Sequence, residues 1–223
     1  MGLQNHGERE LAILKEMVAV CQHLYGRNML AAADGNVSYR ISENRILITP
    51  SGRAKAFIEP SDIAVIDLQG QVLAGTPSSE RLMHLAVYQT CPEARAVVHA
   101  HPPNAIAWSI AYPELKELPC GCMPEVILAT GHVPIVPYAR PGSLDMGEEL
   151  KPFLPQSKCM ILARHGALTW GESLDEAFYG MERIEHSSEI LRLAKTMGEL
   201  KELPESELMA LRKMREEMGN RSL

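Results

Sequence analysis

Residues 94–103 read Ala-Arg-Ala-Val-Val-His-Ala-His-Pro-Pro, a β-prone run that ends in two histidines and two prolines. In a strand, positions i and i+2 point to the same face, so His99 and His101 are expected to present two imidazoles side by side. The two prolines cannot continue a ladder, and the strand should therefore stop with both rings near its exposed end. This pair is half of a metal site, although two structural histidines bonded to backbone carbonyls would look the same.

A third histidine follows another predicted strand. Residues 159–163 are continuously apolar, as in a strand buried on both faces, and they lead into Arg164-His165-Gly166. Glycine allows a close backbone approach, so His165 is a credible third ligand. The remaining histidines pair with no other ligand type at a useful spacing, and we interpret them as structural or surface residues: His6, His23, His84, His132 and His186.

Two turns near the N-terminal third are rich in small hydrogen-bond donors. One turn precedes a predicted strand at residues 37–40, and the other, Thr49-Pro50-Ser51-Gly52, follows a strand at residues 45–48. Turns of this kind can form an anion-binding nest, although each one alone also fits an ordinary turn. The candidate donors are Asn36, Ser38, Thr49, Ser51 and Gly52.

Ser78 and Ser79 precede a helix predicted over residues 81–90. Free N–H groups and the helix dipole favour a phosphate at such a helix start. Glu80 falls in the predicted first turn, where it is either a simple cap or a carboxylate available for chemistry.

Composition limits the function classes. The 223 residues are 46% apolar, enough for a single domain over residues 1–223, and the net charge of −6 provides no basic field for nucleic acid or an anionic membrane. No segment approaches 18 consecutive apolar residues, and five cysteines without framework spacing indicate a reducing compartment. We therefore expect a cytoplasmic protein.

The apolar periodicity predicts helices over residues 8–24, 104–110, 144–153 and 174–197, and a last one that begins at Pro204. The apolar run at residues 126–129 is interpreted as a strand. Glu125, just before it, is either a surface residue at the strand end or a second acid that reaches the metal pocket.

Five motifs, taken in order, resemble those of the class II aldolase/adducin family from about residue 8 to residue 197. They are Gly35-Asn36-Val37-Ser38, Thr49-Pro50-Ser51-Gly52, Pro77-Ser78-Ser79-Glu80, His99-Ala100-His101-Pro102 and Arg164-His165-Gly166. The resemblance implies a three-layer α/β/α sandwich with a central, mostly antiparallel β-sheet. It also implies a homotetramer with active sites at subunit contacts, and we expect the C-terminal helix from about residue 204 to lie at such a contact.

The resemblance also implies roles for individual residues. His99, His101 and His165 would hold a divalent metal, usually zinc, with Mn²⁺ or Co²⁺ as alternatives. Glu80 would be the catalytic acid/base and a candidate fourth ligand in the empty site. The substrate phosphate would be bound by Asn36, Ser51, Gly52, Ser78 and Ser79.

The function that this resemblance implies is zinc-dependent cleavage of a ketose 1-phosphate to dihydroxyacetone phosphate and an aldehyde through a metal-stabilised enediolate. Fuculose-, 5-deoxyribulose- and methylthioribulose-1-phosphate are the substrate types considered. There are three alternatives, in this order of preference. The first is a methylthioribulose-1-phosphate dehydratase that uses Glu125, the second is a ribulose-phosphate 4-epimerase, and the third is a non-catalytic adducin-like binding module. The family's aldolase also uses tyrosines near its C-terminus, whereas the last tyrosine here is Tyr179, inside a predicted helix.

Overall fold

The computed structural model describes residues 2–219, with side chains from residue 7 onward. The helices are α1 (Gly2–Gly26), α2 (Arg81–Thr90), α3 (Pro103–Ala111), α4 (Pro124–Thr130), α5 (Leu144–Leu150), α6 (Leu174–Met197) and α7 (Glu205–Glu217). The strands are β1 (Asn36–Ser42), β2 (Arg45–Ile48), β3 (Ala64–Ile66), β4 (Val72–Ala74), β5 (Ala96–Ala100), β6 (Ile135–Val136), β7 (Cys159–Leu162) and β8 (Gly166–Gly171).

The described strands form one eight-stranded sheet in the order β4-β3-β2-β1-β5-β8-β7-β6. Every neighbouring pair is antiparallel except β6 with β7, which is parallel. Helices cover both faces, with α1, α3, α4 and α6 on one side and α2 and α5 on the other. The predicted three-layer α/β/α fold with a mostly antiparallel sheet is therefore confirmed.

Strand β5 shows how the sheet separates its two cores. Ala96, Val98 and Ala100 pack into the core under α1 and α6, whereas Val97 points to the opposite core under α2 and α5. By the same period of two, His99 shares the face of Val97 and lies toward α2. The sheet therefore directs this imidazole to a defined side of the molecule.

One predicted element is wrong. Residues 126–129 belong to helix α4 and not to a strand, and Glu125 lies exposed in the first turn of that helix. Periodicity cannot separate a strand from a helix in so short an apolar run. Pro124, at the first helical position, was the available indication, because proline is favoured there.

A smaller correction concerns the start of α2. Glu80 is the N-cap residue and does not lie within the first turn, and its side chain makes no capping hydrogen bond. The carboxylate is therefore directed elsewhere.

At the C-terminus, α7 packs against α4. Arg215 Nη1 donates hydrogen bonds to the carbonyl oxygens of Leu128 (2.5 Å) and Ala129 (2.6 Å), near the end of α4. Leu208, also on α7, is buried. No helix in residues 2–219 combines the length and the apolar character needed to cross a membrane.

Candidate metal and substrate site

Three strand ends meet at one edge of the sheet and bring the predicted histidines together. His99 is the fourth residue of β5, where it pairs with Asn36 of β1 on one side and Leu168 of β8 on the other. His101 follows the end of β5, and its backbone N–H donates to the Met29 carbonyl at 2.8 Å. The topology thus places the two rings beside the start of β8.

His165 reaches the same place from a tight turn between β7 and β8. Arg164 adopts a left-handed conformation (φ 60°), and the His165 N–H donates to the Leu162 carbonyl at 3.0 Å. The Arg164 N–H donates to Ser109 Oγ on α3 at 2.8 Å, which fixes the turn against the helix.

The three imidazoles form a compact cluster. Their ring centroids lie 4.8–5.2 Å apart, and His99 Nε2 is 3.2 Å from His101 Nε2. In a tetrahedral zinc site with Zn–N bonds of about 2.0–2.1 Å, neighbouring nitrogens lie about 3.3 Å apart. One potential ligand atom from each histidine lies within 4.8 Å of the others, so this cluster could hold a metal ion.

The surroundings of the rings support this interpretation. His99 Nδ1 is 2.9 Å from the Ala167 carbonyl and must donate to it, which leaves the Nε2 lone pair free to coordinate. His101 Nδ1 lies 3.5 Å from Asp34 Oδ2, the carboxylate contact often made by a metal-binding histidine. His165 Nδ1 is buried with no hydrogen-bond partner among the described residues. The residues present therefore fit a divalent metal.

Burial keeps the imidazoles of His99 and His101 in the neutral form that metals require. It lowers the pKa of His99 to about 3, against the opposing effect of Glu80, and it also lowers the pKa of His101 below its usual value. Both rings are thus neutral imidazoles at neutral pH, even before a metal binds.

Glu80 lies against this cluster. Its Oε1 is 3.2 Å from His165 Nε2, and its Oε2 is 3.4 Å from His99 Nε2 and accepts a 2.9 Å hydrogen bond from Asn36 Nδ2. Burial raises the pKa of Glu80, but its contacts with His165, His99 and Asn36 outweigh that effect, and the net pKa falls to about 2. Glu80 is therefore a carboxylate that lies within reach of any metal ion held by the histidines.

His84 is a participant that the sequence did not reveal. It is completely buried, with Nδ1 2.6 Å from Ser38 Oγ and Nε2 hydrogen-bonded to Asn36 Oδ1. It is thus a structural histidine, and it lies directly behind the residue that contacts Glu80. Its position on α2, four residues after Glu80, was the available clue, because residues at i and i+4 share a helix face.

The other histidines lie outside the cluster. His132 Nε2 contacts Ser157 Oγ at 2.9 Å, His23 packs against Phe178, and His186 is exposed on α6. The side chain of His6 lies outside the described residues.

The Thr49-Pro50-Ser51-Gly52 turn and the Ser78-Ser79 segment before α2 also converge. Pro50 and Pro77 form an isolated antiparallel bridge, in which the Ser51 N–H donates to the Thr76 carbonyl and the Ser78 N–H donates to the Thr49 carbonyl. This bridge holds the Ser51-Gly52 turn beside the Ser78-Ser79 segment.

A cavity of about 620 Å³ joins the turns to the histidine cluster. All the predicted phosphate-binding residues and Glu80 line it, together with His101 and His165, while the fully buried His99 lies behind its wall. The complete lining is Ala33, Asp34, Gly35, Asn36, Ser51, Gly52, Lys55, Ser78, Ser79, Glu80, His101, Pro141, Gly142 and His165.

Glu125 and the loop before it lie elsewhere. The Glu125 side chain is exposed and does not line this cavity. Leu118 and Cys120 are buried in the core under α1 and α6, and the carbonyl of Gly121 accepts a hydrogen bond from the Leu203 N–H. Core packing therefore explains the apolar character of this loop.

The fold and the site together define a three-layer α/β/α protein with a three-histidine centre, a neighbouring carboxylate and a donor-lined cavity. Residues 15–191 match the family model for the class II aldolase and adducin N-terminal domain. The chain belongs to the class II aldolase/adducin family.

Relatives in this family have more than one activity. The chain is 35% identical over 188 residues to an L-fuculose phosphate aldolase of Methanococcus maripaludis, a match that covers 84% of this chain and 99% of the relative. It is 31% identical over 188 residues to the 3-oxo-tetronate 4-phosphate decarboxylase of Escherichia coli K12, a match that covers 82% of this chain and 87% of the relative. Among solved structures, YgbL from Escherichia coli has a TM-score of 0.84 at 29% identity, covering 91% of this chain and 99% of that chain.

Proposed function

We propose that this protein is a zinc-dependent lyase that cleaves a ketose 1-phosphate to dihydroxyacetone phosphate and an aldehyde. The observation that carries the proposal is one cavity shared by the histidine cluster, Glu80 and the two donor-rich turns. Substrates of the fuculose-, 5-deoxyribulose- and methylthioribulose-1-phosphate type fit this chemistry, and the relative from Methanococcus maripaludis is an L-fuculose phosphate aldolase.

His99, His101 and His165 would hold the metal. When bound, a divalent ion with three neutral ligands keeps its full charge and supplies a Lewis acid for the negative charge that develops on the ketone oxygen. The carbonyl of Ala167 sets the orientation of the buried His99 ring, and Asp34 sets that of the His101 ring.

Glu80 would carry the proton. The Glu80 carboxylate takes the proton of the C4 hydroxyl as the C3–C4 bond breaks and C4 becomes the aldehyde carbon. The electron pair of that bond stays with the phosphorylated three-carbon half, and Glu80 then passes the proton to C3 to give dihydroxyacetone phosphate. Asn36 holds Oε2 of Glu80, which leaves Oε1, the oxygen nearer His165, free to deliver that proton. Ser51, Gly52, Ser78 and Ser79 would bind the phosphate at the other end of the cavity.

A second candidate is decarboxylation of a 3-oxo acid phosphate. Loss of CO₂ from 3-oxo-tetronate 4-phosphate leaves the same three-carbon carbanion and, after protonation, the same dihydroxyacetone phosphate. This reaction needs no base for a sugar hydroxyl, and none of the cavity-lining residues is a tyrosine. That observation and the decarboxylase relative favour it as the alternative.

The remaining alternatives have less support. A dehydratase that depends on Glu125 does not fit the exposed position of that residue in this chain. The retained three-histidine centre argues against a purely structural, adducin-like role. We also propose a homotetramer with α7 at a subunit contact, for which the mass in solution of a chain truncated after Leu203 is the test.

Product analysis tests the proposed function. Zinc-loaded protein would be incubated with a panel of ketose 1-phosphates, methylthioribulose 1-phosphate and 3-oxo-tetronate 4-phosphate, and the products identified by mass spectrometry. Dihydroxyacetone phosphate with an aldehyde is the expected result. Dihydroxyacetone phosphate with CO₂ would establish the alternative, and loss of water from an intact skeleton would contradict both.

The shared proton transfer can be measured without either leaving group. Zinc-loaded protein should exchange one C3 proton of dihydroxyacetone phosphate with D₂O, and Glu80→Gln should slow this exchange about 10²- to 10⁴-fold, the usual contribution of a general acid/base. Glu125→Gln is the matched control and should exchange at the wild-type rate. Equal losses in the two variants would remove Glu80 from its proposed role.

A further inference from the structure

Lys55 is a buried cation in the wall of the candidate site. It follows the Ser51-Gly52 turn, in a short 3₁₀ turn at Lys55–Phe57, and the residue is only 2% exposed. Its Nζ donates hydrogen bonds to the carbonyl oxygens of Ala33 (2.7 Å) and Arg53 (2.8 Å). An ammonium group has three N–H donors, so one donor remains after these two bonds.

This charge has no counter-ion within the part of the chain that the structure describes. No carboxylate lies within ion-pair distance of Nζ, because Asp34 is directed toward His101 and Glu80 toward the histidine cluster. Buried lysines are rare unless they are paired, since removing an ammonium group from water is costly. Burial accordingly lowers the pKa of Lys55, partly offset by Cys21, Asp34 and Glu80. An anion in the cavity would supply the missing partner.

The other donors in this part of the cavity are neutral. In residues 2–219, the backbone N–H groups of Gly52 and Ser79 have no hydrogen-bond partner, and the Ser51 and Ser79 hydroxyls donate to no described residue. Such groups can orient a phosphate, but they cannot neutralise a dianion. Charge-assisted hydrogen bonds are roughly twice as strong as neutral ones.

We infer that Lys55 is the cation that binds the substrate phosphate, donating its third N–H to a phosphoryl oxygen. Lys55 thereby makes the cavity select phosphorylated over unphosphorylated three-carbon ketones. The inference rests on the proposed function only for the class of ligand, because the buried charge and the free donors are features of the cavity itself.

A comparison of two ligands that differ only in the phosphate tests the role of Lys55. Zinc-loaded wild-type protein and Lys55→Met would be titrated calorimetrically with dihydroxyacetone phosphate and with dihydroxyacetone. Lys55→Met should bind dihydroxyacetone phosphate about 10- to 100-fold more weakly and dihydroxyacetone equally well. Lys116→Met, which removes the same charge from an exposed position, should match the wild type.

Lys55→Gln tests whether a folding defect, and not the lost charge, causes the weakening, because its amide can still donate to the Ala33 carbonyl. We expect Lys55→Gln to show the same selective weakening. Equal weakening for both ligands, or none for dihydroxyacetone phosphate, would overturn the inference. Wild-type protein that does not prefer dihydroxyacetone phosphate would overturn both this inference and the phosphate part of the proposed function. A selective loss in a protein that cleaves no ketose phosphate would leave Lys55 in place and overturn only the proposed function.

Discussion

The side-chain amide of Asn36 has a fixed orientation, and the position of Glu80 depends on it. Because Asn36 Nδ2 donates to Glu80, its Oδ1 must accept, and His84 Nε2 is therefore the protonated nitrogen. His84 Nδ1 then accepts from Ser38 Oγ, which in turn accepts from the Tyr88 hydroxyl at 2.8 Å. These four buried or partly buried hydrogen bonds run in one direction and end on Oε2 of Glu80.

We expect His84→Leu to lower kcat about 10- to 100-fold with KM nearly unchanged, because the Asn36 amide loses the partner that fixes its orientation and Glu80 shifts. Steady-state kinetics with the established substrate, together with zinc content, would measure this effect. His84→Gln is the control, since its amide can still donate to Asn36 Oδ1 and should recover most of the rate. A general loss of folding would instead lower activity and zinc content together in both variants.

The ends of the secondary-structure elements form the candidate site. The last residues of β5, the first residue of β1 and the turn before β8 meet at one edge of the sheet, and the Pro50–Pro77 bridge fastens the Ser51-Gly52 turn and the Ser78-Ser79 segment beside it. Gly166, the first residue of β8, is closely surrounded. A Cβ atom there would lie 2.5 Å from the Ala100 carbonyl oxygen, 2.9 Å from a carbon of the His99 ring and 3.0 Å from a carbon of the His101 ring.

Gly166→Ala should therefore weaken zinc binding by about 10- to 100-fold, the range seen when the groups that orient metal ligands are disturbed. The added methyl group must displace either the β5 backbone or two of the three imidazoles. Competition with a chromogenic zinc chelator would give the affinity. Gly198→Ala is the matched control, because a Cβ atom there meets nothing within 4 Å and affinity should not change. Wild-type zinc affinity in Gly166→Ala would show that the strand ends can move apart freely.

The whole molecule buries titratable groups that it must keep in one protonation state. Burial lowers the pKa of His84 to about 4, against the opposing effect of Glu80, and that of His99 to about 3. Both groups titrate near pH 6.5 in an unfolded chain. Between pH 6.5 and pH 4 the unfolded chain thus binds protons that the folded chain does not, and acidification favours unfolding. Glu80, with its lowered pKa, acts in the same direction at lower pH.

The free energy of unfolding of the metal-free protein should consequently fall as the pH is lowered from 7 to 4, with His84 alone accounting for up to about 3 kcal/mol by pH 4. Urea unfolding at several pH values would measure this change. His84→Gln should show a shallower dependence on pH than the wild type, because one of the buried titrating groups has been removed. A stability that is constant over this range would contradict the buried, neutral state of both histidines.

Local patterns in the sequence were sufficient to predict most elements and the three-histidine cluster. The alternation of β5, the stop imposed by Pro102 and Pro103, and the glycine after His165 are properties of neighbouring residues, and the structure brings these histidines together as expected. Strand β2 and helix α2 have the bounds that their apolar spacing predicted. The resemblance in five motifs then predicted the family.

Contacts between distant segments determined the rest. Asn36 and Glu80 are 44 residues apart in sequence, and Asn36 and His84 are 48 apart, so no local pattern could show that one orients the other. No local pattern indicates that Lys55 is buried. The run of four apolar residues after Glu125 fits either a strand or a helix. The chain's own pattern therefore predicted which residue types could perform the chemistry. Their mutual orientation, and the burial that sets their charge, arose from packing the sheet between its two helical layers.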